Sequence, residues 1–127
     1  MALFEVRFED VLFTADASLA DAEFTTTEAD AWTATARAEG TLPEGVEAVL
    51  GGDIVHNDEC EDGEFKMYAS VLLLVEAADE GAAKGFAPPT GLLAAVVDAM
   101  VAGRASDMAA AWEVLDFERA AAPAPGM

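Results

Sequence analysis

The stretch Phe65–Glu76 (FKMYASVLLLVE) limits the possible folds of this chain more than any other. Its apolar residues recur at every second position, placing Phe65, Met67, Ala69, Val71, Leu73 and Val75 on one side of an extended segment. The opposite side turns apolar at Leu72 and Leu74. A strand apolar on both sides belongs in the centre of a sheet or beneath a helix, so it needs partners on either edge. Leu3–Thr14 (LFEVRFEDVLFT) is the first candidate partner, with Phe4, Val6 and Phe8 on one side and Glu5, Arg7 and Glu9 on the other. Asp10 then shifts the phase, as a β-bulge does.

After residue 85 the apolar period changes from two to 3.6. Pro88-Pro89-Thr90 introduces a helix over Gly91–Ala102 (GLLAAVVDAMVA). A second helix is expected over Asp107–Arg119, with Ser106 as N-cap and Met108, Trp112 and Leu115 on one side. Between the two long strands the signals are weaker. Glu23–Thr27 reads as a short strand, and the Ala/Thr alternation of Trp32–Ala38 reads as its hairpin partner. The rival reading of that region is a helix capped at Thr27 with Asp30 three residues on. Val46–Leu50 is a short strand or helical turn ended by Gly51-Gly52, residues 53–64 are a loop, and 77–85 is helical or looped. The expected fold is α+β: a small antiparallel sheet packed against two C-terminal helices, one domain over 1–119, and a Pro/Ala-rich tail over 120–127 that does not fold alone.

At 54% apolar the chain can bury a core, although 29 of its 127 residues are Ala, which bury little area each. Its net charge is −19, from 25 acidic and 6 basic residues. Such a charge opposes binding to nucleic acid and to anionic lipid. Residues 1–64 hold 17 acids and 2 bases, so most of the acidity belongs to the first half. A lone Cys makes no intramolecular disulfide, which points to a reducing compartment. The first residues lack the basic-then-apolar layout of a signal peptide, and no apolar run approaches the ~20 residues of a membrane span. A soluble protein of the cytoplasm or of a virion is the expectation.

Residues that carry chemistry are few. The loop over 53–64 gathers Asp53, His56, Asp58, Glu59, Cys60, Glu61, Asp62 and Glu64. As a calcium loop begun at Asp58 it fails, because Cys60 holds the third position and Ala69 the twelfth. As a zinc site it offers one His and one Cys, and no second such pair exists. Cys60 among four acids has its thiolate disfavoured, the reverse of an activated nucleophile. Ser18, Ser70 and Ser106 sit in no nucleophile elbow, and no phosphate-cradling Gly-rich motif occurs. No catalytic residue, metal or cofactor is therefore assigned. Asp53, Asp58, Glu59, Glu61, Asp62 and Glu64 are read as a solvated acidic surface.

The Gly91–Ala102 segment is apolar nearly all round, Asp98 excepted. Consecutive residues lie ~100° apart on a helix, so Leu92, Leu93, Val96, Val97, Met100 and Val101 are not expected to share one core stripe. Some of them are expected to face outward and meet another protein or a second copy. The leading functional reading is a non-enzymatic structural or assembly module of the small virion, decoration or connector type, acting through this apolar half. The alternative is a DNA-mimic inhibitor of a nucleic-acid-binding enzyme, of the anti-restriction or anti-CRISPR type. A duplex turn of ~34 Å carries about 20 charges, close to the net charge here. A third reading, a subunit from a salt-adapted organism, accounts for composition and names no activity.

Overall fold

The structure, a computed structural model, describes residues 2–15, 22–59, 65–88, 90–101, 105–107 and 121–123. Three long strands form its frame: β1 (Ala2–Ala15), β3 (Val46–Glu59) and β4 (Phe65–Ala77). A short β2 (Glu23–Phe24) and helix α1 (Thr26–Glu39) separate β1 from β3, while α2 (Glu80–Lys84) and α3 (Thr90–Val101) follow β4. Two further short strands, β5 (Ala105–Asp107) and β6 (Ala121–Pro123), close the order. All pairings are antiparallel, in the order β2-β3-β4-β1-β5, with β6 also on β1. The protein has an α+β fold, and Phe65–Ala77 is its central strand, as a segment apolar on both sides must be.

The register explains the two-sided pattern. Phe4, Val6 and Phe8 of β1 pair with Val75, Leu73 and Val71 of β4. After a shift between Phe8 and Val11, Val11 and Phe13 pair with Ala69 and Met67. This bulge falls where Asp10 broke the alternation, and it returns Val11 and Phe13 to the buried side. All these side chains belong to one core cluster, together with Ala29 of α1, Ala83 of α2 and the large apolar residues of α3. The helices thus all pack on the same side of the sheet.

The segment read as a hairpin partner, Trp32–Ala38, lies instead within α1. The helix begins two residues before the rival cap, at Thr25, whose hydroxyl accepts from Glu28 N at 3.2 Å while Glu28 Oε1 accepts from Thr25 N. It ends at Gly40, in the left-handed region at φ 71°, where Gly40 N donates to Arg37 O and Thr41 N to Ala36 O. Ala is the best helix former, so an Ala/Thr alternation carries a strand's period without a strand's preference. Ala29, Thr33 and Ala36, spaced for one helical side, are the buried residues.

Helix α1 also protects an edge. β2 covers β3 only at Gly52 and Asp53, which leaves the outer edge of the preceding β3 residues to the helix. Thr33 Oγ1 accepts from Val49 N at 3.1 Å and donates to Val49 O at 3.3 Å. One turn further along, Arg37 Nη2 donates to the Glu47 carbonyl and reaches Glu47 Oε1 at 2.9 Å. Four helical residues rise ~6 Å and two strand residues ~6.6 Å, so Thr33 and Arg37 fall in step with Val49 and Glu47. Side chains here take the place of a neighbouring strand.

Two other expectations are corrected. Residues 53–59 of the expected loop continue β3, whose Asp53, Ile54, His56, Asn57, Asp58 and Glu59 pair with Ser70–Phe65 of β4. Growth of the ladder along a long partner strand outweighs the acidic composition. Within the expected tail, Ala121, Ala122 and Pro123 are extended and pair with Val6, Glu5 and Phe4 of β1. Asp107, expected to open a second helix after Ser106, lies with Ser106 in β5. The remainder of that expected helix lies outside the described residues.

Candidate functional site

The six residues expected to supply an outward apolar contact are all internal. Leu92, Leu93, Val96, Val97, Met100 and Val101 are each buried against the chain's own core. At ~100° per residue they fill one half of the helix circumference, an arc of about 180°. The other half carries Gly91, Ala94, Ala95, Asp98 and Ala99, which are exposed or half-buried. The helix only seemed apolar all round because alanine counts as apolar. A half-cylinder of large side chains is what a helix lying on a sheet buries.

Among the described residues, the side of the sheet that no helix covers is the other one. Leu72 and Leu74 are half-buried there and stand outside the core cluster. Among the described residues no helix contributes a buried side chain to this side. The register sets its side chains in rows across the strands. One row runs Arg7, Leu72, Gly51 across β1, β4 and β3; the next, one pleat away, runs Glu5, Leu74, Ala48. Two half-buried leucines therefore stand at the centre of the three long strands, flanked on β1 by a cation in one row and an anion in the next.

Arg7 lies over the neighbouring strand, where its Nη1 donates to Ser70 Oγ at 2.9 Å. Ser70 is fully buried. Beside it, Arg7, Glu23, Leu50, Gly51, Asp53 and Leu72 are among the residues lining an open depression of about 230 Å³. The sequence displays the leucines and Arg7 as the second side of the strand patterns, and nothing in that alternation marks them as a site.

The acidic surface is partly placed. Asp53 is exposed on β3 and pairs in register with exposed Glu23 on β2. Asp58 and Glu59 belong to the β3 strand, whereas Glu61, Asp62 and Glu64 lie outside the described residues. Helix α1 adds exposed Glu28, Asp30 and Glu39. Two described bases are held in ion pairs on the helical side, Arg37 with Glu47 and Lys84 with Glu80. Arg7 and Lys66 project from the other side of the sheet, which by the register also carries Glu5, Glu23, Asp53 and Glu76.

Among the described residues no three His, Cys, Asp or Glu side chains converge on a possible metal position. Cys60 lies outside them. No described helix is long and apolar enough to cross a membrane. Comparison with protein families, curated proteins and solved structures finds no match to this chain.

Proposed function

We propose that this chain is a non-enzymatic, acidic interaction protein that serves as a structural or assembly module of the small virion, decoration or connector type. It works without turnover or cofactor, in the cytoplasm or in a virion, by binding protein. The observation that supports this reading is the uncovered sheet surface centred on Leu72 and Leu74. That surface replaces α3 as the contact, since the large residues of α3 serve the chain's own core. Apolar side chains left half-open on a central strand gain by being covered, at about 25 cal/mol per Å² of apolar area.

The exposed acids of β2, α1 and β3 favour a second reading, a DNA mimic that occupies the basic cleft of a nucleic-acid-binding enzyme. Salt adaptation would account for the same acids without naming a contact.

Affinity capture of bound proteins from the source cells separates these readings when wild type is compared with Leu72→Asp/Leu74→Asp. Partners retained at ~1 M salt, where the Debye length is about 3 Å, and lost in the double variant support the sheet surface. Partners held only at low salt and indifferent to the double variant refute it in favour of the mimic.

A further inference from the structure

We propose that helix α1 is a separately opening cover: residues 25–41 leave the edge of β3 as one unit while the sheet stays folded. This opening does not depend on how the leucine side of the sheet is used.

The helix is held to the body by little apolar burial. Its buried residues are Ala29, Thr33 and Ala36, Trp32 is half-buried, and the rest of the helix is exposed. Helix α3, two residues shorter, buries two leucines, three valines and a methionine. Apolar burial is the dominant favourable term in folding, so α1 loses far less by leaving. What joins it to β3 is polar. Thr33 Oγ1 takes both backbone groups of Val49, and Arg37 takes the Glu47 carbonyl. When the whole helix leaves, water reaches those backbone groups, so breaking the bonds costs much less than leaving the groups buried and unpaired.

Both ends of the unit are marked. Before it, Phe24 is buried and pairs with Gly52. After it, Gly45 O accepts from Glu76 N at 2.9 Å, and Phe86 lies so close that a Cβ on Gly45 would meet its Cε1 at 3.1 Å. These contacts anchor the flanks to the sheet. Between the anchors the helix closes on itself, with the Thr25–Glu28 box at its start and the Gly40 and Thr41 amides on the Arg37 and Ala36 carbonyls at its end. Neither cap uses the sheet. On its opposite edge β3 keeps its whole ladder with β4, so loss of α1 breaks no strand pairing.

A lone helix of 14 residues is marginal in water, so α1 melts as it leaves. Release and unfolding are one event. The open state presents the Glu47 carbonyl and both backbone groups of Val49 along a strand edge. Such a row is what a further strand adds to, and the closed helix withholds it.

Amide hydrogen exchange of the full chain, followed by NMR in water and in rising sub-denaturing urea, is the test. The Val49 amide is the most telling probe, because it belongs to a strand and donates to the helix. It is expected to share one protection factor with the amides of residues 29–38, at least about tenfold below Val71 and Leu73 of β4. Their exchange is also expected to rise less steeply with urea, since a smaller surface is exposed. Val6→Ala removes fully buried atoms from β1, which β4 separates from β3. It is expected to lower the protection of Val71 and Leu73 at least about tenfold and to leave α1 and Val49 within about twofold. The urea series decides the matter even if Val6→Ala does not fold. A common protection factor and urea slope for α1, Val49 and β4 overturns the proposal, as does a Val6→Ala variant in which α1 follows β4. Fast exchange in α1 while Val49 keeps the β4 value overturns it too, because the helix then frays without leaving the edge.

Discussion

Replacing Thr33 by Val tests whether helix α1 acts as a substitute strand. The exchange preserves shape, and Thr and Val have nearly equal helix propensity. What it removes is one hydroxyl, 7% exposed as a residue, which accepts from Val49 N at 3.1 Å and donates to Val49 O at 3.3 Å. Without it both groups lose their partner on the edge that β2 does not reach. A buried donor or acceptor left alone costs about 1–3 kcal/mol, so two such groups set an upper range of roughly 2–6 kcal/mol. The carbonyl bond is long, and the added methyl recovers ~0.8 kcal/mol by its own burial. The expected net loss is about 2 kcal/mol. With a urea m-value of ~1–2 kcal/mol/M, the unfolding midpoint should fall by roughly 1–2 M at unchanged slope. Thr33→Ser keeps the hydroxyl and deletes a methyl, with an expected loss of about 1 kcal/mol. A shift below ~0.3 M for Thr33→Val, or a larger loss for Ser than for Val, refutes the reasoning.

Other substitutions probe the packing that frames the surface. A Cβ on Gly52 meets the Ser70 carbonyl oxygen at 2.6 Å and Met100 Cε at 2.9 Å, so Gly52→Ala should lose at least about 2 kcal/mol in urea unfolding. Met100→Ala should not rescue it, because the backbone of the central strand remains in the way. Val97→Asp places an unpaired carboxylate at a fully buried position and should unfold the chain by circular dichroism, whereas Leu74→Asp at a half-buried position should not. Gly40→Ala has open space around its Cβ but keeps φ near 71°, so a loss of roughly 1–2 kcal/mol with a smaller one for Gly40→Asn is expected in thermal unfolding.

The legible parts of the fold are those where large apolar side chains mark the period. Phe4, Val6 and Phe8, then Val11 and Phe13, display both the strand and its bulge, because a misplaced Phe has a large burial penalty. The same holds for Met67–Val75 and for α3. Trp32–Ala38 was illegible by that measure, since Ala fits a strand or a helix with little difference in buried area. There the decision rests on helix ends: Thr25 with Glu28 at one, Gly40 at the other. Those residues were visible, and a search for caps three residues apart finds Thr25–Glu28 as readily as Thr27–Asp30. The extension of β3 through Glu59 had no such marker, because its partners lie on another strand and polar residues do not announce a register.

The candidate surface shows how the same ambiguity misdirects a functional reading. Counting apolar residues makes α3 look exposed to a partner, because Ala94, Ala95 and Ala99 count as much as Leu92 or Val97. Weighing them by size reverses the conclusion: large residues fill half the helix, and that half lies in the core. The half-buried leucines outside the core then include two on β4, where a core strand carries Leu72 and Leu74 on the side away from its helices. Alternation alone predicts polar residues there, as Lys66 and Glu76 are. Two leucines in adjacent rows, beside an arginine in one and a glutamate in the other, depart from that rule at a single place. The departure has a physical use only when another surface covers it. The register of β1 on β4, which a sequence does not display, is what aligns Arg7 with Leu72 and Glu5 with Leu74 and sets the two leucines between charged neighbours.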